Sequence, residues 1–389
     1  MNNHKAVIVG DNHHNALNLA RSFGVNNIKP VGFIICDKKK ELFVDKSKYW
    51  NEVYILSSYN DLIINLINVF KNEKYKSVLL PCSDTAAMLV DANLDILSQY
   101  FILPSLNSRQ GAITKLMDKE EQVYFAHENG ISIADTWVLK VENWESIVDE
   151  IVYPCIVKPV SSYEGKKSDI KKCDNINELI SYLKIIFEIK HYSRILVQKF
   201  IKFDYEIEFV GSINGNSISY LTSRTIRSWP IIGGTNSYFQ IINNSSINTI
   251  INQIIEVFQK KNYSGLFDIE LFNVGGQIYL NEINWRNTGN SFFALGTDVH
   301  YAVVWYLSVT GADSYKLSHF CTDESQFAMN EATDLRYVFF NHFSFKTWNY
   351  ERKHTQSFAL WFKGDNKPTR KRYMYLLKKL ISNKRVKDK

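Results

Sequence analysis

Short apolar runs alternate with stretches of helical spacing through the first hundred residues. Residues 6–10, 31–36 and 77–81 are apolar runs rich in Val, Ile and Leu, and residues 16–23 and 61–70 carry apolar side chains at helical spacing. Apolar runs of this length between helical segments are typical of a parallel sheet wrapped by helices. We therefore predict an N-terminal α/β domain at residues 1–110.

The middle of the chain follows a different pattern, in which predicted strands succeed one another directly. Two turn signals, Asn214-Gly215-Asn216 and Val274-Gly275-Gly276-Gln277, each join two apolar segments, as in antiparallel hairpins. A helix is predicted before them at residues 117–129, because Asp118 suits its start and Gly130 its end. We predict a mixed α+β region at residues 111–310 and a C-terminal segment at residues 311–389.

The positive charge is concentrated at the C-terminal end of the sequence. The 389 residues carry a formal net charge of +6, but the residues from Asn366 onward hold ten Lys or Arg and one Asp. Residues 1–365 therefore carry a net charge of −3, which argues against a nucleic-acid partner for this part of the chain. The basic tail is predicted as a short helix, either packed on the body with its basic face in water or lying on anionic lipid.

The composition excludes several classes of protein and site. With 45% apolar residues the chain can bury a core, which excludes an intrinsically disordered protein. Its five cysteines are odd in number and form no CxxC pair, which indicates reduced thiols and neither a zinc site nor a disulfide framework. No stretch approaches the roughly 18 apolar residues of a transmembrane helix, and we expect a cytoplasmic protein.

Polar side chains follow two predicted strands of the N-terminal domain. Asp84 comes just after residues 77–81, and His13 and His14 come after residues 6–10. Ligands of open α/β sheets bind beyond the carboxyl ends of the strands, so these side chains are candidates for substrate contact. The alternatives are a helix N-cap or an ordinary polar turn. The first turn lacks the G-x-G-x-x-G pattern, which argues against a nicotinamide or flavin cofactor.

The second predicted hairpin holds the densest group of functional side chains. Successive side chains of a strand alternate between faces, so Glu282 and Asn284 share a face, and Glu270 can face them from the neighbouring strand. Two carboxylates and an amide suit Mg²⁺, which completes its shell with water and phosphate oxygens. Arg286 continues the same face and offers a guanidinium to a transferring phosphoryl group. Taken singly, each residue has the alternative of a solvated strand position.

The pattern Gly265-x-x-x-x-Glu270, a hairpin, then Glu282-Ile283-Asn284-x-Arg286 closely resembles the metal-binding end of ATP-grasp enzymes. Members of this family include biotin carboxylase, D-alanine–D-alanine ligase and the formate-dependent glycinamide ribonucleotide transformylase. The resemblance implies a two-lobed ATP-grasp domain with a closing lobe at about residues 135–205. It also implies ATP as cosubstrate, with Mg²⁺, or Mn²⁺ in its place, bound by Glu270, Glu282 and Asn284.

Upstream segments resemble other parts of the same family. The resemblance implies that Lys119, at a predicted helix start, and Lys158, in a predicted strand, reach the ATP phosphates, and that a loop at residues 161–168 closes over them. Residues 197–206 resemble the hinge that contacts adenine and the ribose hydroxyls. Lys158 and Arg286 are the implied catalytic residues. The implied nucleotide contacts in the hinge are Gln198, Lys199, Ile201 and Glu206.

Substrate recognition is predicted in residues 223–236. Arg224 and Arg227 flank a turn that contains Pro230 and Gly234, which suits capture of a carboxylate or phosphate by guanidinium groups and free backbone N–H groups. Similar loops occur in ATP-grasp ligases that resemble D-aspartate ligase. The alternative is a surface hairpin with solvated arginines.

The resemblance implies an ATP-dependent carboxylate–amine ligase. In such enzymes a bound carboxylate attacks the γ-phosphorus, ADP leaves, and the acyl phosphate meets an amine. Two alternatives remain open: a member that uses a one-carbon acid, formate or bicarbonate, because residues 202–206 are similar to the hinge of the formate-using enzyme, and an ATP-binding module without turnover. The sequence identifies neither the acid nor the amine, and a homodimer is the default oligomer of such enzymes.

Overall fold

The computed structural model describes residues 3–160, 165, 167–231, 234–314, 317–340 and 342–387, and its strands form three sheets. The first sheet is N-terminal and is built from these elements: β1 (Ala6–Asp11), α1 (His14–Val25), β2 (Val31–Ile35), β3 (Glu52–Leu56), α2 (Leu62–Phe70), β4 (Ser77–Pro81), α3 (Asp84–Ala92), α4 (Leu94–Leu97) and β5 (Phe101–Ile102). Its five strands are parallel, in the order β3-β2-β1-β4-β5. The predicted N-terminal parallel sheet is confirmed.

Both faces of this sheet are covered by apolar side chains. In β1, Val7 and Val9 point into one core and Ile8 points into another. A parallel strand buried on both faces is apolar along its length, which is why the sequence pattern reveals these strands. The carboxyl ends of β1 and β4 form a polar edge, where His13 caps α1 and Ser83 caps α3.

The second sheet is smaller and forms a separate lobe. The chain reaches it and completes it through these elements: β6 (Ser105–Leu106), α5 (Ala112–Leu116), α6 (Lys119–Glu128), β7 (Thr136–Lys140), α7 (Trp144–Ile147), β8 (Cys155–Lys158), β9 (Lys171–Cys173), α8 (Ile176–Lys184) and β10 (Arg194–Lys199). The order β7-β10-β8-β9 is antiparallel throughout. Asp118 caps α6, as its sequence position predicts. Residues 161–164 and 166 of the predicted closing loop lie outside the described residues.

The third and largest sheet contains the predicted hairpins and most of the remaining chain. Its elements and the helices around it are: β11 (Tyr205–Asn214), β12 (Ser217–Trp229), β13 (Thr235–Ile241), α9 (Ser245–Lys260), β14 (Tyr263–Val274), β15 (Gln277–Asn284), α10 (Ala294–Thr297), α11 (Tyr301–Val309), β16 (Phe327–Met329), α12 (Glu331–Asp334), α13 (Arg336–Phe339), α14 (Phe345–Lys353), β17 (Ser357–Phe358) and α15 (Asn366–Lys387). The strand order is β15-β14-β11-β12-β13-β16-β17, and β6 pairs with β14. Only β16 and β17 are parallel among the pairs of this sheet that the structure describes.

The two faces of the large sheet have different neighbours. Ile207 and Ile269 point into a core that also contains Ile251 and Ile254 of α9. On the other face, Val210 joins the core shared with α1 and α11. The sheet therefore has an apolar face under α9 and a second face that meets the N-terminal sheet.

A buried ion pair ties the C-terminal segment to the N-terminal sheet. Arg21 of α1 donates from Nε to Asp365 Oδ2 at 3.0 Å, and both side chains are almost fully buried. Ser47 Oγ also donates to Asp365 Oδ2, at 2.8 Å. Asp365 directly precedes α15, so the predicted basic helix begins from a fixed point. None of the described helices combines the length and apolarity needed to span a bilayer.

Candidate active site

A row of carboxylates crosses the large sheet on the face opposite α9. Glu208 of β11 lies opposite Glu270 of β14, and Glu270 lies opposite Glu282 of β15. Asp268 and Asn284 form a neighbouring pair in the same two strands. Because directly opposed residues of antiparallel strands share a face, the structure brings Glu270, Glu282 and Asn284 together on one side of the sheet.

A β-bulge in β15 decides which face these side chains occupy. The register steps from the pair Glu270–Glu282 to the pair Leu271–Leu280, so Asn281 is the extra residue. Leu280 is buried in the core under α9. Strand side chains repeat every two residues, so a regular strand would place Glu282 on the same side as Leu280. The bulge reverses that parity and turns Glu282 away from the core.

Two lysines from separate elements reach this face. Lys119, the first residue of α6, forms an ion pair with Glu282. Lys158, the last residue of β8, donates to Asn281 Oδ1 at 3.0 Å and to Gln198 Oε1 at 3.1 Å. Burial of Lys158, reinforced by the positive charge of Lys119, lowers the pKa of its ammonium group to about 8. The two lysines predicted to contact phosphate therefore line the same cleft.

Glu270 and Glu282 have different electrostatic environments. Burial, followed by the charges of Glu206 and Glu282, raises the pKa of the Glu270 carboxyl to about 8. Burial acts in the same direction on Glu282, but Lys119 and Lys158 outweigh it and lower the pKa of that carboxyl. A bound divalent cation replaces the proton of such a carboxyl and removes the repulsion between the two acids.

The donor set fits a magnesium ion that takes few ligands from the protein. Glu270 and Glu282 face each other directly, and Asn281 Nδ2 donates to Glu270 Oε2 at 2.9 Å. Among the described residues, no group of three or more His, Cys, Asp and Glu side chains could hold a metal by itself. Two carboxylates with the amide of Asn284 leave most positions to phosphate oxygens and water, which is the usual protein environment of Mg²⁺.

Glu208 and Asp268 form a second, buried pair of carboxyls beside Glu270. Glu208 Oε2 and Asp268 Oδ1 have no hydrogen-bond partner in the part of the chain that the structure describes. Burial is the main cause that raises the pKa of the Asp268 carboxyl. Burial, with the charge of Asp268, raises the pKa of Glu208 well above its usual range. Asn236 Nδ2 donates to Glu208 at 2.8 Å and to Glu206 at 2.7 Å.

Arg286 joins the carboxylate row to the N-terminal sheet. Its Nε donates to Asp84 Oδ1 at 2.6 Å. Asp84 is the first residue of α3, but the capping side chain is that of Ser83, so the Asp84 carboxylate is available to Arg286. The following residue, Asn287, hydrogen-bonds to Asn15 of α1. The end of β15 and the carboxyl edge of the parallel sheet thus form the walls of one cleft.

The polar edge of the N-terminal sheet contributes uncharged histidines to this cleft. The rings of His13 and His14 lie with their centroids 3.8 Å apart. Part of the His13 side chain is exposed to solvent, but protein atoms surround most of its ring. The resulting loss of hydration, with the charge of Arg372, lowers its pKa to about 4. Burial and the neighbouring His13 also lower the pKa of His14. Both rings are neutral near pH 7 and can exchange hydrogen bonds with a substrate without adding charge.

The predicted hinge runs along the same cleft. Gln198 accepts from Lys158 and donates from Nε2 to Thr136 Oγ1 at 3.1 Å. Glu206 shares the face of Glu208, as its contact with the same asparagine requires. The other two predicted hinge residues lie at the end of β10 and in the connection that follows it. Lys199 is exposed near Asp135, and Ile201 is half-buried between β10 and β11. The nucleotide contacts of these four hinge residues stay predictions.

The structure does not bring Arg224 to the carboxylate row. Arg224 lies opposite Ile207, whose side chain is in the core under α9, so it belongs to the other face of the sheet. There it is exposed and donates to Gln240 Oε1 at 2.6 Å. The reason is strand parity, because Arg224 is offset by one residue from Ser223, the partner of Glu208. The prediction that Arg224 captures substrate has no support in this placement.

Arg227 and Gly234 are both held by contacts within the protein. Arg227 donates from Nε and Nη2 to Asp334 at 3.0 and 2.9 Å and from both terminal nitrogens to Glu351. Its guanidinium is thus already bound by two carboxylates of the protein. A Cβ atom at Gly234 would lie 1.9 Å from the carbonyl oxygen of Pro230, so backbone packing alone requires glycine there. Neither observation favours substrate binding over a role in folding.

Four residues of the site are not among the individual residues predicted from the sequence, although Asn236 lies within the predicted recognition segment: Asn236, Glu208, Asp268 and Asn281. Two successive polar residues, Asn281 and Glu282, break the alternation of β15, and this break is the available signal of a bulge. Glu208 and Asp268 stand two residues from Glu206 and Glu270, and this spacing indicates that they share a face. Asn236 lies on a third strand, and its approach depends on register shifts between β12 and β13 that have no sequence signature.

The chain is similar to a known domain family and to known proteins. Residues 124–295 match the model of the ATP-grasp domain. A formate-dependent phosphoribosylglycinamide formyltransferase of Tolumonas auensis is 24% identical over 198 residues, which are 50% of this chain and 50% of that protein. The large chain of a Thermoanaerobacter carbamoyl phosphate synthase is 24% identical over 230 residues, which are 57% of this chain and 20% of that protein. The chain spans about half the length of the formyltransferases it matches.

Solved structures show the same fold at low sequence identity. The N5-carboxyaminoimidazole synthetase of Staphylococcus aureus complexed with ADP superposes with a TM-score of 0.66 at 16% identity, covering 88% of each chain. An L-amino acid ligase of Bacillus licheniformis superposes with a TM-score of 0.58 at 15% identity, covering 79% of this chain and 74% of the other.

Proposed function

We propose that this chain, which carries an ATP-grasp domain, is an ADP-forming carboxylate–amine ligase. The observation that carries the proposal is the direct opposition of Glu270 and Glu282 in a cleft that also holds Lys119, Lys158 and Arg286. A protein that only binds nucleotide has no need for a carboxylate pair and a guanidinium at the position of phosphoryl transfer. This set of side chains favours turnover over the inactive ATP-binding module.

The charged residues of the cleft have separate roles in phosphoryl transfer. Lys119 and Lys158 bind the phosphates of ATP from two sides and orient them. Glu270, Glu282 and Asn284 would hold Mg²⁺, which would supply charge neutralisation during phosphoryl transfer.

Arg286 lies where the carboxylate row meets the N-terminal sheet, so its guanidinium stabilises the charge on the transferring group while Asp84 holds its orientation. The substrate carboxylate takes the phosphoryl group, ADP leaves, and the amine then displaces phosphate from the acyl carbon. We place both substrates at the carboxyl edge of the N-terminal sheet, beside Asp84 and the neutral His13.

A second candidate function is activation of a one-carbon acid. It is favoured by the sequence similarity to formate-dependent formyltransferases, which covers half of this chain. The same phosphoryl chemistry serves formate, bicarbonate or a larger acid, because the metal and lysine contacts involve only the nucleotide. The two candidates differ in the size of the acid that the cleft accepts.

Hydroxamate formation tests both candidates. Purified protein is incubated with MgATP, hydroxylamine and a panel of acids that includes formate, bicarbonate and amino acids, and ADP and AMP are measured separately. We expect an acid-dependent hydroxamate with stoichiometric ADP. Formate as the only active acid would favour the one-carbon function.

A matched pair of variants assigns the activity to the site. Glu282→Gln removes one carboxylate of the opposed pair and is expected to lower turnover by at least about a hundredfold. Glu256→Gln makes the same chemical change on the exposed face of α9, where the side chain is 65% exposed, and is expected to leave turnover unchanged. AMP as product, or full activity of Glu282→Gln, would contradict the proposal.

A further inference from the structure

The helix α15 carries the strongest concentration of positive charge in the chain. Residues 366–387 contain nine Lys or Arg and no acid, and all of them belong to this helix. Its start is fixed to the body, because Thr369 Oγ1 donates to the Leu360 carbonyl at 2.6 Å and Arg372 lies 5.2 Å from the centre of the Phe43 ring. The helix is therefore held in a defined orientation at its base.

A run of three lysines lies beside this helix. Lys38, Lys39 and Lys40 are exposed in the connection between β2 and β3, and this connection packs against α15 through a hydrogen bond between Tyr375 and Glu41. The two segments are more than 300 residues apart in the chain, so their convergence follows from the fold. Together they form one surface, which we call the basic face.

Apolar side chains are exposed within the basic face. Met374 and Leu377 are 53% and 58% exposed, and they lie three residues apart on α15, on adjacent turns. Lys378 and Lys379 follow directly and are also exposed. Apolar side chains flanked by Lys and Arg are typical of helices that lie in the interface of an anionic bilayer.

We propose that the basic face docks this protein onto the surface of a membrane rich in anionic lipid, with Met374 and Leu377 entering the headgroup region. Charge complementarity to anionic headgroups supplies the long-range attraction. A nucleic acid would also attract the charge, but it offers no environment that gains from burying two exposed apolar side chains on a basic helix. The proposal is independent of the ligase activity.

Binding of the full-length protein to vesicles tests the proposal. The protein is sedimented with vesicles of phosphatidylcholine alone and of phosphatidylcholine with phosphatidylglycerol, at low and high salt. We expect at least about tenfold tighter binding to the anionic vesicles at low salt, weakened by high salt. Equal or absent binding to the two vesicle types would overturn the proposal, as would displacement from anionic vesicles by a short DNA duplex that the protein binds more tightly.

Three variants assign the binding to the basic face. Lys378→Glu with Lys379→Glu is expected to reduce binding to anionic vesicles by at least about tenfold. Lys184→Glu with Lys260→Glu makes the same change in charge at exposed positions of α8 and α9 and is expected to leave binding intact. Met374→Gln with Leu377→Gln keeps the charge and is expected to weaken binding and increase its sensitivity to salt. Equal losses in the two charge-reversal variants would overturn the assignment.

Discussion

Lys158 is a cation whose direct partners are the amide oxygens of Gln198 and Asn281. Amide oxygens satisfy its N–H groups but provide no opposite charge, so burial and the nearby Lys119 prevail and lower its pKa to about 8. An ammonium group with this pKa binds phosphate fully only below that pH. Lys158 is therefore the residue through which pH is expected to control nucleotide binding.

The affinity for MgADP is expected to fall as the pH rises through 8. Lys158 is charged below its pKa of about 8, and between pH 7 and 9 the loss of that charge lowers affinity by up to about tenfold. Equilibrium titration with MgADP across this range measures the effect. Lys158→Arg keeps a permanent charge and is expected to give a flatter profile; a wild-type profile as flat as that of the variant would contradict the assignment.

Asn281 is expected to set the position of that pH profile. In Asn281→Asp a carboxylate replaces the amide oxygen 3.0 Å from Lys158, which stabilises the ammonium form and raises its pKa. We expect the fall in MgADP affinity to move to higher pH by about one unit or more. Asn281→Leu removes the hydrogen bonds of this side chain to Lys158 and to Glu270 and serves as the comparison. If its profile moves upward as far as that of Asn281→Asp, the shift does not arise from charge.

At the scale of the element, β12 and β13 hold the residue whose role differs most from its prediction. Arg227 is bound by Asp334, whose side chain is fully buried, and by Glu351. Arg227→Ala is expected to lower the free energy of unfolding by about 3–5 kcal/mol, because it leaves Asp334 buried without its counter-charge. Urea denaturation followed by fluorescence measures this change.

Arg224→Ala is the matched control for Arg227→Ala. Arg224 is exposed, and its guanidinium donates hydrogen bonds to the Gln240 side chain, so its loss is expected to change stability by less than about 0.5 kcal/mol. If instead Arg227→Ala unfolds like the wild type and raises the KM for a substrate, the substrate-binding role predicted from the sequence is correct.

The strands of the three sheets show which features can be predicted from the sequence and which cannot. The buried parallel strands and the two hairpins follow from local patterns, because apolar runs and Gly-containing turns are properties of adjacent residues. The row of Glu208, Glu270 and Glu282 depends on register between strands, and the face of Glu282 depends on one bulge. The ion pair of Arg286 with Asp84 joins residues that are 202 positions apart in the chain. A pattern of neighbouring residues cannot predict a contact over that separation.

At the scale of the whole molecule, Arg21 and Asp365 connect the N-terminal sheet to the segment that leads into α15. Asp365→Ala is expected to destabilise the protein by about 3–5 kcal/mol, because Arg21 would remain buried without a counter-charge. Thermal and urea unfolding measure the loss. Asp174→Ala removes an exposed ion pair with Lys172 and is expected to cost less than about 1 kcal/mol; equal effects of the two variants would contradict a special role for Asp365.

The bulge at Asn281 shifts the alternation of core-facing and cleft-facing side chains along β15 by one residue. Before it, Ile278 and Leu280 occupy the core-facing register, and after it Ile283 and Trp285 do. Deletion of this one residue would turn one half of β15 over. Either Glu282 and Arg286 would then face the core, or the apolar side chains would face away from it. A related sequence that lacks this bulge, aligned here without a gap, would therefore be one residue out of register, with residues of the candidate site set against core positions.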